Sequence, residues 1–332
     1  MKTQNGYLLI SLDFELFWGL FDVKTTSNYH TNLKNVREVI PRLVALADQY
    51  NITLTFATVG FLFAKNKQEL LSALPSEKPT YLNSRFNPYN LIENIGENET
   101  DDPFHYAESL IEFIRTNGNH EIASHTFSHY YANEDGQTPD QFEADIIAAV
   151  QIAKQKNINI KSIVFPRNQI NEAYLKICAK HGIICYRGIE NHWMFDTHDT
   201  KKLDNATHKA FRLTDAYCNV SGYNTYSISH LKNCHGILNI PSSKFFRPYS
   251  NSFKLLEPLR ISRIKKGLVK AAKNNEIYHL WWHPHNFGKN MDANFKNLED
   301  IFKLFTELQK NHAFQSVSMA QLAEKYHAKE SQ

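Results

Sequence analysis

Residues 7–15 read YLLISLDFE, an apolar run that closes on two carboxylates. The run predicts a β-strand over residues 7–12. The segment that follows, residues 33–50, places Leu33, Val36 and Leu43 on one stripe of an amphipathic helix, and a second strand pattern covers residues 53–58. Strand, helix and strand in succession form the unit from which parallel sheets are built.

The same alternation continues along the chain. Further strands are predicted at residues 121–124, 162–165, 183–187, 237–240, 277–281 and 314–316. Further helices are predicted at residues 103–117, 139–156, 171–181, 252–274 and 293–311. No G-x-G-x-x-G or P-loop follows a strand, so dinucleotide and nucleoside triphosphate sites lose their main support. We therefore expect an α/β fold whose parallel sheet curves into a barrel.

Length and composition describe an ordinary globular chain. Its 332 residues could form one large domain or two smaller ones, and 42% hydrophobic with 21% charged residues argue against a disordered or fibrous protein. Residues 72–102 and 192–229 break the strand–helix rhythm and are interpreted as long loops over one face. Without a linker or repeat between them, we expect one domain over residues 1–332 with these two insertions.

Charge and cysteine content give further expectations. The net charge of +3 indicates no nucleic-acid partner. Asp13 and Glu15 interrupt the first apolar stretch before a leader could be completed, and no run approaches the ~18 residues of a membrane span. We accordingly expect a soluble, cytoplasmic protein. The cysteines form no C-x-x-C pair and are interpreted as reduced thiols: Cys178, Cys185, Cys218 and Cys234.

Histidine is the unusual residue type, with 16 in the chain. Random placement would give roughly 0.7 His-x-x-x-His pairs, a spacing used by metal sites. Two such pairs occur, at His125/His129 and His279/His283. The spacing alone is therefore weak evidence, and surface or core histidines are the alternative.

The two acids at the end of the first strand are the first candidates for chemistry. A strand's period of two places Asp13 and Glu15 on the same side. The carboxyl ends of barrel strands are where active sites form. In an apolar setting these carboxylates need a metal ion or an arginine for compensation, although a helix cap or a solvated turn is an equally acceptable interpretation.

Histidines and an arginine follow other strands. If a helical turn starts at His125, then His125 and His129 share a face and can bind one ion, with a carboxylate completing an open, catalytic type of site. Arg167 follows the fourth strand and could form a two-pronged ion pair with Asp13. His283, at the mouth of a late strand, is the better acid–base candidate there.

In chain order these motifs resemble those of the polysaccharide deacetylases, the NodB-homology family. They are Asp-x-Glu on the first strand, His-Thr-x-x-His after the third, an arginine after the fourth and a histidine on the last core strand. The resemblance extends from about residue 7 to residue 323. It implies a distorted (β/α)7 barrel, with the insertions over the active-site face, and usually a divalent metal.

The resemblance also implies roles for individual residues. Asp13 would be the general base, Arg167 its partner and His283 the general acid, preferred to His285 because the acid lies on or just after the strand. The implied cofactor is one divalent transition metal ion, zinc first, with iron, cobalt, nickel or manganese as alternatives. Three side chains would bind it: Glu15, His125 and His129.

Three departures from the family's pattern stand out. The second acid is glutamate rather than aspartate, so we expect a shifted backbone to absorb its longer reach. The third motif reads Phe-Pro-Arg-Asn rather than Arg-Pro-Pro-Tyr. Residues 246–249 match those letters better, but the preceding strand favours Arg167 and leaves Arg247 as a substrate contact. For the fourth motif, normally acidic with tryptophan, Glu190 and Trp193 are the only candidates.

Seven side chains are expected to contact substrate. The tryptophans among them could stack on a sugar, with core packing as the alternative for each. The seven are Trp18, Asn168, Trp193, Arg247, Tyr249, Trp282 and His285.

The expected reaction is hydrolysis of an amide, which releases acetate or formate from an N-acylated amino sugar. A cytoplasmic enzyme would meet that sugar on a nucleotide or a lipid phosphate during synthesis of a surface polysaccharide such as O-antigen or capsule. Residues 260–273, from Arg260 to Lys273, form a cationic amphipathic helix that could contact phosphate or the cytoplasmic membrane surface. A solvated helix face is the alternative, and no obligate protein partner is expected.

Three other functions stay open at this point. The chain could be an amidohydrolase for small cyclic or linear amides, or a glycan-binding domain that has lost catalysis. A metal-dependent phosphoesterase is the least favoured, because such sites generally gather more carboxylates around two ions.

Overall fold

The computed structural model describes residues 5–195 and 206–330, so residues 196–205 of the second expected insertion lie outside the described residues. Within these ranges ten strands form one sheet. They are β1 (Gly6–Phe14), β2 (Thr55–Thr58), β3 (Glu121–Ser124), β4 (Ser162–Ile163), β5 (Cys185–Gly188), β6 (Asn233–Cys234), β7 (Ile237–Pro241), β8 (Lys244–Phe245), β9 (Ile277–Trp282) and β10 (Phe314–Ser316).

The α-helices lie between the strands. In the described ranges they are α1 (His30–Lys34), α2 (Val36–Gln49), α3 (Lys67–Ser72), α4 (Glu108–Thr116), α5 (Pro139–Gln155), α6 (Glu172–Lys180), α7 (Ala206–Tyr217), α8 (Glu257–Asn274), α9 (Met291–Asn311) and α10 (Met319–Glu330). Every helix in this part of the chain is too short or too polar to cross a bilayer.

The sheet is curved and almost entirely parallel. Its order is β6-β7-β5-β4-β3-β2-β1-β9-β8, with β10 beside the amino-terminal half of β1, and β6–β7 is the antiparallel pair. The chain between β7 and β8 joins the two sides of the curve. The backbone N–H of Ser242 donates to the Gly188 carbonyl at 2.9 Å, and the backbone N–H of Ser243 donates to the His279 carbonyl at 2.8 Å. β5 and β9 are thereby held on either side of one interior.

Alternation along β1 separates two cores. Leu8, Ile10 and Leu12 face the helices and belong to the large core between helices and sheet. Tyr7 and Leu9 face the interior of the curve, where Met319 and Leu322 of α10 close its lower end. The next positions on the interior side are polar, so the apolar interior changes into a polar one at the carboxyl end of the strand.

Helix boundaries follow local sequence signals. The buried stripe of α2 includes Val36 and Leu43, as predicted, but the chain breaks at Asn35 into α1 and α2 rather than forming one helix. At the start of α5, Thr138 and Gln141 form a reciprocal capping box, and Pro139 occupies the first turn. This cap fixes where α5 begins.

The second insertion is more regular than predicted. Its residues 206–217 form α7, whose Ala206–Tyr217 span was expected to be loop. The first insertion, residues 72–102, is loop with two short 3-10 helices at Ser84–Phe86 and Pro88–Asn94.

Candidate active site

Strand register brings the carboxyl ends of the central strands to one level. Phe14, Thr58 and Ser124 are paired in one row, so Glu15 and His125 lie in the next. Ser124 also pairs with Ile163, and Ile163 pairs with Tyr186. The residue after Tyr186 is Arg187, so Arg187 lies in the same row as Glu15 and His125. On the other side Leu12 pairs with Trp282, which places His283 level with Asp13.

Asp13 forms a buried two-pronged ion pair with Arg187. Nη1 and Nη2 of Arg187 donate to Oδ1 and Oδ2 of Asp13 at 2.6 and 2.8 Å, and both side chains are almost fully buried. Burial alone would raise the pKa of Asp13, but the charge of Arg187, together with His125 and His283, lowers it. The geometry therefore keeps Asp13 ionised and fixed in orientation.

Glu15, His125 and His129 form the one group of candidate metal ligands found among the described residues. Their ligand atoms lie within 4.8 Å of one another, and all three side chains are buried. Glu15 Oε2 is 3.3 Å from His125 Nε2 and 3.2 Å from His129 Nε2. Burial would raise the pKa of Glu15, yet His283, His125 and His129 hold it well below its usual range.

The donor set fits a divalent ion. His125 Nδ1 lies 2.8 Å from the Val164 carbonyl oxygen, which only accepts, so the proton sits on Nδ1. In the neutral ring the lone pair of Nε2 then faces the Glu15 carboxylate, and two acceptors face each other unless a cation lies between them. A histidine fixed by a backbone carbonyl is typical of metal ligands.

The segment from His125 to His129 is a loop and not the helical turn that the sequence analysis expected. Thr126 and His129 have left-handed φ values of 62° and 58°. The buried Asp145 of α5 holds the loop by accepting from the Phe127 N–H at 2.6 Å and the Ser128 N–H at 3.1 Å. The two imidazoles converge because of these bonds rather than because of helical periodicity.

His283 lies between the two carboxylates. Its Nε2 is 3.7 Å from Asp13 Oδ2 and 3.6 Å from Glu15 Oε1. Asn286 Nδ2 lies 3.4 Å from His283 Nδ1. The side chain is 25% exposed, so His283 can meet a molecule that enters from solvent.

The prediction that Arg167 pairs with Asp13 is wrong. Arg167 instead pairs with Asp22 and lies 4.4 Å over the Tyr131 ring. The reason is a turn after β4, in which both Arg167 and Asn168 have φ of 53°. This turn directs Asn168 inward, where its Oδ1 accepts from Arg187 Nη2 at 2.9 Å.

Three expected substrate contacts belong to the core. Trp18 and Trp282 are fully buried; Trp18 donates to the His105 carbonyl at 2.9 Å, and Trp282 stacks on Phe287. Their rings are therefore not available to a sugar. His285 is also buried beneath His283, and burial, with the charge of His283, lowers its pKa to about 3.

Other predicted contacts lie on accessible surfaces. Trp193 is 55% exposed beside a groove of about 710 Å³, which Glu190 also lines. Tyr249 is half-buried, and its N–H donates to Asn294 Oδ1 at 2.6 Å. Asn168 and Arg247 line a smaller cavity of about 300 Å³. These positions remain candidates for substrate contact.

Two residues of this candidate site were not predicted from the sequence. Arg187 is an arginine inside a buried strand, and that alone signals an anionic partner, because a buried guanidinium is rarely left uncompensated. Trp281 is half-buried, lies 4.2 Å from the Arg187 guanidinium and forms a wall of the smaller cavity.

The cationic helix is only partly available to a membrane. Arg260 and Arg263 are buried and pair with Glu257 and Asp215. The apolar face of this helix, α8, including Ile264 and Leu268, is part of the large core. The predicted helix is present and amphipathic, but its apolar face packs in the core and two of its arginines are paired. Contact with phosphate or a membrane through the exposed lysines stays a prediction.

Comparisons with known proteins agree with this geometry. The sequence model of the polysaccharide deacetylase family matches residues 21–186, half of the chain. The match includes His125 and His129, while Asp13, Glu15 and Arg187 lie just outside it. A search of curated protein sequences finds no match.

Solved structures share the fold at low sequence identity. A protein assigned as a polysaccharide deacetylase from Mycobacterium smegmatis superposes with a TM-score of 0.61 at 12% identity, over 99% of this chain and 93% of that one. A protein assigned as a polysaccharide deacetylase from Pseudomonas aeruginosa PAO1 superposes with a TM-score of 0.50 at 10% identity, over 97% of this chain and 90% of that one. Puue allantoinase superposes with a TM-score of 0.52 at 9% identity, over 97% of this chain and 89% of that one. The predicted distorted (β/α)7 barrel is confirmed.

The family match and the shared fold thus agree with the motif order along the strands, and this chain belongs to the polysaccharide deacetylase family.

Proposed function

We propose that this protein is a metal-dependent hydrolase that removes an N-acetyl or N-formyl group from an amino sugar. One observation carries the proposal. Asp13 with its arginine, the Glu15–His125–His129 cluster and the partly exposed His283 all meet at one end of the barrel. These are the groups that amide hydrolysis needs: a base, a metal-ligand set and an acid.

Glu15, His125 and His129 would hold one divalent transition metal, with zinc as the first candidate and iron, cobalt, nickel and manganese as alternatives. Two nitrogen ligands and one carboxylate suit zinc and leave positions open for catalysis. When bound, such an ion would polarise the amide carbonyl and stabilise negative charge on its oxygen.

Asp13 would accept the proton of the attacking water. Arg187 holds both carboxylate oxygens, but each oxygen has a second lone pair, and Oδ2 faces the open side where His283 lies. The lowered pKa keeps Asp13 ionised at neutral pH. Its fixed orientation removes the entropy cost of positioning a free side chain.

The imidazolium form of His283 would donate its Nε2 proton to the departing amine and become neutral imidazole. Its Nε2 is within 4 Å of both carboxylates, and its ring stands between them and the solvent. Loss of a neutral amine rather than an amide anion is what makes the C–N bond breakable near neutral pH.

The substrate proposal goes one step further, to an N-acylated sugar on a nucleotide or lipid phosphate, used in building a surface polysaccharide. The cavity beside the site, with arginines and the Trp281 ring, supports a charged carrier next to a stacked sugar. All four cysteines are free, which suits a reducing compartment such as the cytoplasm.

The direct test is release of acetate or formate from a panel of free, nucleotide-linked and lipid-linked N-acylated amino sugars. We expect wild-type protein to release the acid, Asp13→Asn to lose at least about a hundredfold in rate, and Asp292→Asn, at an exposed acid on α9, to match wild type. Release from ureides such as allantoin, but from no sugar, would favour the small-amide hydrolase. Sugar binding without any release would favour a glycan-binding domain.

A further inference from the structure

Beside the catalytic residues lies a cavity whose wall is rich in cations, which we name the cationic cavity. Its volume is about 300 Å³. Its polar and aromatic lining includes Arg167, Asn168, Arg212, Lys244, Arg247 and Trp281. Two of these residues also contact the catalytic arginine: Asn168 accepts from Arg187, and Trp281 packs against its guanidinium. The cavity therefore adjoins the Asp13 site directly.

Several of the surrounding charges are balanced within the protein. Arg167 pairs with Asp22. Lys244 and Arg263 share the single carboxylate of Asp215, which leaves one positive charge in excess.

Arg247 is different. Its guanidinium is half-buried, and within the part of the chain that the structure describes no carboxylate lies within ion-pair distance of it. Arg260 donates to its backbone carbonyl and is itself paired with Glu257. Burial lowers the pKa of Arg247, and the neighbouring Arg212 and Arg260 contribute to the lowering. A guanidinium in this setting is destabilised unless an anion joins it.

The acid in the lining, Glu190, forms no ion pair with Arg247 among the residues that the structure describes. Glu190 is buried, and this burial raises its pKa. Its Oε1 lies 3.4 Å from the Trp281 indole N–H. The cavity thus combines excess positive charge with an aromatic wall formed by Trp281 and Phe245, whose rings are 4.7 Å apart.

We propose that the cationic cavity binds a phosphate group carried by the sugar substrate, with Arg247 as its main ligand and Trp281 beside the sugar ring. The proposal rests on the proposed function, since it assigns a subsite to the substrate of that same site. A forked guanidinium matches two oxygens of one phosphate. The shared wall of Asn168 and Trp281 lets one sugar place its phosphate in the cavity and its acyl group at the metal ligands.

The charge balance favours phosphate over carboxylate. The Asp215 cluster contributes one excess positive charge, and Arg247 contributes another. A phosphate monoester or a diphosphate can neutralise both, whereas a carboxylate carries a single charge.

The test is equilibrium binding by calorimetry, with probes that cannot be hydrolysed because they carry no acyl group. The probes are glucose, glucose 1-phosphate and glucuronate. For wild-type protein we expect glucose 1-phosphate to bind at least tenfold more tightly than either of the others. Arg247→Met should remove most of this advantage, while glucose itself binds as before.

Arg115→Met is the matched control, because Arg115 pairs with Glu112 on α4 and lies outside the cavity. We expect it to bind all three probes like wild type. Arg247→Lys, which keeps the charge but not the fork, should retain part of the advantage. The comparison of glucose 1-phosphate with glucose in wild-type protein is valid even if Arg247→Met does not fold.

Equal affinity for glucose and glucose 1-phosphate would overturn the proposal, and so would an unchanged phosphate preference in Arg247→Met. Glucuronate binding as tightly as glucose 1-phosphate would overturn the assignment to phosphate. Because no probe is turned over, phosphate binding through Arg247 without acyl release from any sugar would refute the proposed function and leave the subsite standing.

Two further probes distinguish the source of the phosphate. UDP-glucose represents a nucleotide carrier, and glucose joined by a diphosphate to a short prenyl chain represents a lipid carrier. Exposed apolar side chains, Phe253 and Leu255, follow the Arg247 segment, and the Phe253 ring lies 6.0 Å from that of Tyr217, which borders Arg247. We expect the lipid probe to gain affinity over glucose 1-phosphate. A gain with UDP-glucose alone would keep the phosphate subsite and identify a nucleotide carrier.

Discussion

Glu15 and Gly19 share one small volume at the end of β1. A Cβ placed on Gly19 would overlap the Glu15 carboxylate, so the absence of a side chain makes room for the longer acid. From the sequence we expected a shifted backbone to absorb the extra length of glutamate. The structure shows that a glycine four residues later provides the space.

Gly19→Ala should therefore displace Glu15 and lower metal affinity about tenfold to a hundredfold, as measured by competition with a chelating dye. Shortening the acid in the double variant Glu15→Asp/Gly19→Ala should recover part of the affinity. Equal affinity of Gly19→Ala and wild type would show that Glu15 is not held at a metal.

A substitution of His283 separates metal binding from catalysis. His283→Gln should reduce kcat about 10² to 10⁴-fold, because the amine leaves without its proton donor. Metal content should stay at the wild-type level, since the ligand cluster does not include this residue. His312→Gln, after α9, is the control. Loss of metal together with activity would make His283 a ligand rather than an acid.

Single residues also show where sequence reasoning succeeds. Asp13 and Glu15 were predictable because a strand's alternation fixes their common side. Arg187 was not, because its pairing depends on β5 lying across the barrel interior from β1, a relation between residues 174 positions apart. Arg167 had the right place in the motif order, but two left-handed residues turned it away.

At the scale of elements, α5 holds the loop from His125 to His129 through one buried acid, Asp145. Burial raises the pKa of Asp145 to about 6, although Ser128 and two backbone N–H groups lower it. The folded state thus holds the proton more tightly than the unfolded chain, whose value is near 3.8. The contribution of Asp145 to the free energy of unfolding is therefore most favourable at low pH. This contribution, about 3 kcal/mol, is lost as the pH rises from about 4 to 6.

Asp145→Asn lacks this titration. The free energy of unfolding of the variant, relative to wild type, should improve by about 3 kcal/mol between pH 4 and pH 7, as measured by urea denaturation at each pH. Comparing the two proteins cancels the contributions of the other carboxylates to the pH dependence of unfolding. If the difference in unfolding free energy is constant with pH or changes in the opposite direction, then the hydrogen bonds lower the pKa of Asp145 at least as much as burial raises it.

The main strands and helices were predictable from their apolar periodicity, and β3 and β10 have the predicted limits. The short β8 was not, because two residues carry no periodic pattern, and Lys244–Phe245 forms a strand only because β9 lies beside it. α7 was missed for a related reason. Its stability comes from tertiary contacts of Asp215 rather than from a strong local signal.

At the scale of the whole molecule, Asp215 connects α7, α8 and β8. It is fully buried and bonded to Lys244 and Arg263. Asp215→Asn would leave two buried cations without a carboxylate and should cost about 3–5 kcal/mol of unfolding free energy. Glu299→Gln, at the exposed pair with Lys303, should change stability little. Similar denaturation midpoints for all three proteins would contradict the structural role of this cluster.

The proposed hydrolysis depends most directly on whether Glu15, His125 and His129 hold a catalytic metal. The most direct test is elemental analysis of protein purified without added metal and then incubated with zinc, for wild type and His125→Ala. We predict about one equivalent of divalent transition metal in the wild type and loss of most of it in the variant. No bound metal in either protein would contradict the metal site and the hydrolase mechanism built on it.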